Sequence, residues 1–522
     1  MQSQPSMIKR FKHSILVLAV MSTSMISCKK FLDVNENPNN PVNVPVEQLL
    51  PNVLVSSVNI EVIGLSNSPG SSGSLNQLGS VWAGYWSKAT DGPSTPSLFR
   101  LEETYGVEAM ANDRDGRPFW EDIYSILNNY RNIQTKAEES GDVLYSGIAK
   151  IMQGWHFMRL VDLYNNVPFD DALQGTVKTN PRFEPGEQVY EKSIDLITEG
   201  ITDIKSANAF AKKPAADDVV FRGNMIQWIQ FANTIKLRGL LRMSQLDKQA
   251  YINSEIAKIN AEGSGFLGVH AAVNPGYISG TSGMQNPLWE TYYRNAQGAL
   301  TTTYNTIRPT EFLINEYKRL NDPRLELIYV PAKNSGTYAG VPLGSDDLQY
   351  SMDNTSPFRG PNENNNQPAG LFKSAVQASI LMSSFESLFL QAEAAERGWI
   401  SGSAKDLYES AIAASFSYIG TAAPASYFDQ ESVDLDQAPN RIARIIEQKW
   451  LALNTLSGFE AWSDYRRLGV PAIPQSLASP NMDPSYRPLR LTYRQSEISG
   501  NGDEVSKQGP INPFQSTVFW DK

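Results

Sequence analysis

From Val143 to Asn165 the chain reads "VLYSGIAKIMQGWHFMRLVDLYN", and this stretch has no polar face. Ile148, Ile151, Met152, Trp155, Phe157, Met158, Leu160 and Val161 occupy every side of a helical period. Such a helix is stable only when other elements enclose it. The rest of the chain must therefore supply partners, and the neighbouring segments do so. In 119–140, Ile123, Ile126 or Leu127, Tyr130, and Ile133 or Gln134 form one apolar face. Farther on, Tyr190, Ile194, Ile197, Ile201 and Ile204 step by fours and threes, and 224–244, apolar on most sides, reads as their partner.

The pattern returns near the other end. Phe385, Leu388, Phe389, Ala392 and Ala395 form one stripe, and Ala404, Leu407, Tyr408, Ala411, Ile412 and Phe416 a second. Ile442, Ile445, Ile446 and Trp450 make a third, and "GFEAWSDYRRLG" (458–469) closes the set. Helix pairs recurring at about 34–40 residues, with alanines where helices approach, are the arithmetic of tetratricopeptide-like hairpins. The fold class expected is mostly α: a helical-hairpin scaffold, mainly 119–245 and 383–469. Long irregular tracts interrupt it at about 262–378 and 470–522, rich in Gly, Asn, Ser and Pro interleaved with Tyr and Trp. Loops of that length are uncommon unless they carry a function.

The one cysteine in 522 residues is Cys28. Lys9, Arg10, Lys12 and His13 precede the apolar run "SILVLAVMSTSMI", which is too short to span a bilayer and suits a signal-peptide core. Met25-Ile26-Ser27-Cys28 resembles a bacterial lipobox. The expected organisation is therefore a signal peptide at 1–27 and a lipidated leash at 28–45, with Cys28 as the acylated residue. A single domain follows over 46–522. Two acyl chains would hold such a protein to a membrane durably, and the Asn- and Pro-rich "KKFLDVNENPNNPVNVP" reads as an extended tether.

Composition narrows the chemistry. A net charge of −10 makes nucleic acid an unsuitable partner. One cysteine and three histidines leave no cysteine-based metal site and little for a histidine one, so neither metal nor other cofactor is expected. No nucleophile elbow or phosphate-cradling loop is present. His156 lies in the all-apolar helix and reads as a core histidine, while His270 lies in a loop. Trp155, Tyr164, Trp228, Trp450 and Trp462 sit at helical spacing and read as core. Asp162, Asp170, Asp171 and Asp322 read as caps or turns, and Glu386, Glu393 and Glu396 as a solvated helix face. Asp464, Arg466 and Arg467 could pair across helices or face solvent. No residue pattern singles out a catalytic group, so no catalytic residues are expected.

The motifs "CKKFLDVNENPNNP", "LVDLYNNVPFDDALQG" (160–175), "FRGNMIQWIQFANTIKLRGLLRMS" (221–244) and "NDPRL" (321–325) resemble the SusD/RagB family of outer-membrane lipoproteins. So do "SSFESLFLQAEAAERGWI" (383–400), "IIEQKWLALNTLSGFEAWSDYRRLGVP" (445–471), "YRPLRLTYRQSEISGN" (486–501) and the terminal "FWDK". They follow the family's order from residue 28 to the end, and "NDPRL" points to the SusD-like branch of the second type. The resemblance implies a tetratricopeptide-containing scaffold with ligand loops. It also implies lipid anchorage on the outer face of the outer membrane and a role as lid and delivery partner of a SusC-like TonB-dependent transporter. The implied ligand is an oligosaccharide, or in some members a peptide. Lys29 and Lys30 depart from the acidic export signal usual after the lipidated cysteine. A tethered scaffold with only protein partners is the remaining alternative.

Two aromatic clusters carry the binding reading. Trp82, Tyr85 and Trp86 lie near Asn76, Gln77 and Asp91; Trp289, Tyr292 and Tyr293 lie beside Asn286 and Asn295. Aromatic faces pack on the C–H faces of sugars, and amides and carboxylates bond the hydroxyls. The same side chains could instead form helix faces packed on the scaffold.

Overall fold

The helix without a polar face is enclosed by its neighbours. A computed structural model describes residues 44–65, 73–92, 97–112, 116–361 and 369–521. The leader, Cys28 and most of the leash lie outside the described residues. The chain divides into a unit of residues 1–49 and a second unit, Leu50–Lys522. Helices dominate: α1 (Val46–Val62), α2 (Leu75–Trp82), α3 (Phe119–Ser140), α4 (Val143–Tyr164), α5 (Gly186–Ser206) and α6 (Met225–Arg242) come first. After a loop-rich middle come α7 (Pro287–Tyr292), α8 (Glu311–Arg319), α9 (Ser384–Glu396), α10 (Ala404–Ile419), α11 (Arg441–Leu453) and α12 (Gly458–Leu468). The strands are short: β1 (Trp86–Lys88) pairs antiparallel with β3 (Ile307–Pro309), and β2 (Ala271–Val273) with β4 (Ser379–Met382). Among the described residues no helix is long and apolar enough to cross a membrane.

Every residue of α4 from Leu144 to Tyr164 is buried. Its closest neighbour is α5, because glycines remove the side chains between them. A Cβ on Gly147 would lie 2.7 Å from the Gly200 carbonyl oxygen, and one on Gly200 would lie 2.6 Å from that of Gly147. Gly154 meets the Ser193 carbonyl in the same way at 2.7 Å. The isoleucine stripe of α5 was expected to pair with α6. It packs there too, but the closest backbone approach is to α4, where glycine leaves out the intervening side chain. Trp155, Tyr164, Trp228, Trp450 and Trp462 are all buried, as their spacing implies.

The polar residues depart further from the sequence reading. Glu386 and Glu393, read as solvated, are 1% exposed; Glu386 accepts from Arg238 at 3.1 Å, and Glu393 takes both terminal nitrogens of Arg467 at 2.5 and 2.8 Å. Glu396 remains half-exposed and pairs with Arg441 at 2.8 Å. Asp162 is no cap: it is buried and accepts from the Tyr190 hydroxyl at 3.0 Å and the Trp520 indole at 2.8 Å, which docks the chain's last residues against the core. Asp322 does cap the turn it was read as, accepting from Arg324 N at 2.9 Å, but it is also buried and clasped by the Arg324 guanidinium and the Tyr427 hydroxyl. Asp171 pairs with Arg182 at the surface and Asp170 with Lys192. Cations from neighbouring helices offset the desolvation of the buried acids, and no single-helix period can show that.

Glu460 of α12 is the hub of this interior network. It is wholly buried, accepts from Arg242 at 2.5 Å and from Arg159, which also reaches Glu61, and forms an ion pair with Arg238 at 3.1 Å. Burial alone would raise its carboxyl, but Arg159, Arg238 and Arg242 together hold it well below the usual carboxylate range. Asp464 responds likewise: Lys449 and Arg467 overcome burial and bring it down to about 2.

Candidate functional site

The two aromatic clusters lie some 200 residues apart in the chain, yet the β1–β3 ladder brings them together. Trp86 stands opposite Pro309 and Lys88 opposite Ile307. The Trp86 ring lies 5.1 Å from Tyr292 and 6.1 Å from Phe358. Phe358 lies 5.4 Å from Phe372, which stacks at 5.4 Å on Tyr293. Tyr293 then meets Trp289 edge-on at 4.8 Å and Tyr304 at 5.6 Å. One continuous chain of rings thus runs from the ladder to the surface.

Most of the residues singled out for ligand contact prove to be walls of this structure. Trp82, Tyr85, Trp86, Asn286, Tyr292 and Tyr293 are all at most 6% exposed. The Trp82 indole donates to the Glu102 carbonyl at 3.0 Å, and that of Trp86 to Thr455 Oγ1 at 3.2 Å. The Tyr85 hydroxyl donates to the Trp450 carbonyl and that of Tyr292 to the Val62 carbonyl. Burial raises both phenols, Tyr292 to about 12. In this structure their faces are covered, and the polar side-chain atoms of Trp82, Tyr85, Trp86, Asn286 and Tyr292 are engaged within the protein, which gives them a supporting place. Asn286 is a helix cap: its side-chain oxygen accepts from Trp289 N at 2.9 Å, while its amide donates to the Gln377 carbonyl and Ser379 Oγ, each at 2.9 Å. Asn76 is likewise structural, donating to the Thr455 carbonyl and accepting from Gly458 N, each at 2.7 Å. Asn295 closes its own turn by accepting from Gln297 N and Ala299 N.

Trp289 differs from the others. It is only half-buried, and its indole N–H meets no acceptor among the described residues. Beside it, Tyr304 is also half-buried and donates to the Phe358 carbonyl at 2.9 Å. The Arg294 guanidinium lies 5.0 Å over the Tyr293 ring. Behind Tyr304 sits Arg308, 3% exposed, bonded to Thr355 Oγ1 and to the carbonyls of Tyr304, Ile307 and Met352. Burial without an ion pair lowers its pKa to about 10. These bonds fasten the 348–355 loop to the ladder. Thr90 N donating to the Tyr350 carbonyl, and exposed Asp91 accepting from Met352 N at 2.6 Å, add to the same join. Sequence reasoning missed Tyr304, Phe358, Phe372 and Arg308. Tyr304 had a signal, an aromatic in a long loop close to Trp289, but Phe358 and Phe372 had none.

The geometry offers an aromatic edge with polar groups around it. His156 is wholly enclosed, its Nε2 2.9 Å from Ser57 Oγ, and burial lowers its pKa to about 3. No substrate reaches that Ser–His pair. His270, half-buried, accepts from Ser384 N through Nδ1 at 3.0 Å. No cluster of metal-ligating side chains occurs among the described residues.

The fold is shared with solved structures. A chitin-binding SusD homolog from Flavobacterium johnsoniae superposes with a TM-score of 0.69 over 91% of this chain and 98% of its own, at 22% identity. A SusD homolog from Bacteroides uniformis ATCC 8492 gives 0.69 over 91% and 99%, at 20% identity. Another, from Bacteroides vulgatus ATCC 8482, gives 0.71 over 91% and 98%, at 19% identity. No curated protein matches the chain by sequence. The family model SusD-like_2, described as "Starch-binding associating with outer membrane", matches residues 72–494, and the chain belongs to that family.

Proposed function

We propose that this protein is a surface lipoprotein, anchored through acylated Cys28, that captures an oligosaccharide and delivers it to a SusC-type TonB-dependent transporter over which it closes. The observation that carries the binding role is the ring chain from Trp86 to Tyr293, which opens at the half-buried pair Trp289 and Tyr304. Buried rings hold the edge rigid, so little ordering cost falls on binding. Sugars present apolar C–H faces to such an edge and hydroxyls to the polar groups beside it. Membership of a starch-binding, outer-membrane family supports the same reading.

The test is calorimetric titration of the mature chain with a panel of neutral oligosaccharides and peptides. Trp289→Ala removes one exposed aromatic face worth about 2 kcal/mol, so affinity for the recognised sugar should fall about thirtyfold. Unchanged affinity removes Trp289 from the site, and binding only of peptides replaces the sugar with a peptide ligand. A gene for a SusC-like transporter beside this one would support the delivery role.

A further inference from the structure

A second concave region lies at the other end of the β1–β3 ladder. Tyr304 precedes β3, at the Ala89–Thr306 end, whereas Gly84 and Thr310 mark the opposite end. There Thr310 N donates to the Tyr85 carbonyl at 2.9 Å, Val341 N to that of Pro309, and Glu311 N to that of Val341. These bonds hold the start of α8 against the 340–343 segment and leave a cleft of about 210 Å³ beneath them. Its floor is Phe312, Leu343 and Ile473. Gly84 is required there: its φ is +72°, and a Cβ would stand 2.6 Å from Ile473 Cγ2. On the far side of Phe312 a second cleft of about 210 Å³ continues along α8 to Trp450 and Pro471. Phe312, half-buried and 5.5 Å from the Trp450 ring, is the shared wall of both.

The lining of these clefts selects a ligand class. In the first, Glu311 and Asn315 are exposed, and their side chains make no hydrogen bond with the described residues. Gln475 spends its Nε2 on Ser479 Oγ and the carbonyls of Asn481 and Tyr486, and its Oε1 has no hydrogen-bond partner among the described residues. Glu311 is the single charge in this cleft. In the second, Arg319 is the sole cation and is already engaged by Glu316 at 2.6 Å, while Glu447, raised by burial, lies beside them. The groove is therefore acid-biased and repels uronates, sulfates and phosphates. An aromatic and apolar floor bordered by unengaged acceptors and an amide matches a neutral polyol. We propose that the groove on either side of Phe312 is a second sugar site, taking a neutral oligosaccharide independently of the Trp289 edge.

The test is hydrogen–deuterium exchange on the mature chain with neutral malto-, cello- and chito-hexaose at millimolar concentration, and oligogalacturonate as the anionic control. The inference requires severalfold slower exchange in 310–320 and 470–478 with at least one neutral hexamer and none with oligogalacturonate. The protection should persist in Trp289→Ala and disappear in Phe312→Ala. Asn315→Ala, on the exposed side of α8, covers the case in which the Phe312 variant fails to fold, and should weaken binding there about fivefold. No protection of these segments by any neutral hexamer overturns the inference, as does protection that vanishes in Trp289→Ala. Protection of 285–306 alone overturns it and leaves the proposed function standing. Protection here alone leaves the second site standing and removes Trp289 from the first.

Discussion

Replacing Glu460 by Gln keeps its shape and removes one charge from the most heavily loaded carboxylate in the interior. Glu460 takes hydrogen bonds from the guanidinium groups of Arg159 and Arg242, pairs with that of Arg238 at 3.1 Å, and has no solvent exposure. A glutamine keeps one oxygen, which can face Arg159 and Arg238 together, but its amide N–H groups then face Arg242. Arg238 retains Glu386 at 3.1 Å and Arg159 retains Glu61 at 2.9 Å, while Arg242 keeps only longer contacts to Asp162 at 3.7 Å and Asp464 at 3.5 Å. Removing one partner from a buried ion network costs about 3–5 kcal/mol, because uncompensated charge remains inside. That is a large part of the roughly 5–15 kcal/mol by which a folded domain is stable. Guanidinium unfolding followed by far-ultraviolet circular dichroism should show the midpoint of Glu460→Gln fall with little change in slope. Adding Arg242→Met should recover part of the loss, because it removes the cation most dependent on Glu460. A loss under about 1 kcal/mol for Glu460→Gln would refute the reasoning, since surface pairs are worth only that much. A double variant that is additive would refute the assignment of Arg242. The acids held low by this network also set a pH limit. Asp464, brought to about 2, contributes stability present above its unfolded value near 4, and that stability is lost as pH falls from 4 towards 2.

Gly200→Ala sets helix propensity, a gain of about 1 kcal/mol, against a Cβ placed 2.6 Å from the Gly147 carbonyl oxygen. Separating α4 from α5 costs more, about 1–3 kcal/mol, so the same unfolding assay should show net destabilisation; a more stable variant would contradict the close approach. Glu103, wholly buried beneath Ser87 and Lys88, is raised to about 7 by burial against the bond from Ser87 Oγ. The unfolded chain releases this proton near pH 4.5 while the folded chain keeps it, so stability falls between about pH 4.5 and 7, by on the order of 3 kcal/mol. Glu103→Gln should flatten that decline in a pH series of thermal unfolding, and an unchanged slope would show that Glu103 is not its source. Trp86→Ala empties a fully buried site between Tyr292 and Phe358 and should cost about 3–5 kcal/mol; an unaffected melting temperature with lost sugar binding would return Trp86 to the ligand surface.

Sequence alone settles those properties of this chain that depend on local period. The helix from Val143 to Tyr164, the stripes of α5, α9, α10 and α11, and the core tryptophans follow from residues three and four apart. Local order also places the loop-rich tract that supplies Trp289 and Tyr304. The family match over residues 72–494 takes in the motifs between 160 and 471. Which surface each side chain faces was another matter. Trp86 and Trp289 look alike in sequence, and only the pairing of Trp86 with Pro309 decides that one is sealed while the other stands at the edge. Glu393 and Glu396 lie three residues apart, yet Arg467 from α12 buries the first and the second stays half-exposed. Periodicity records how a segment distributes its own apolar surface. Burial of an aromatic ring or a charge depends on which distant segment covers it and with what partner, and only the tertiary structure supplies that neighbour.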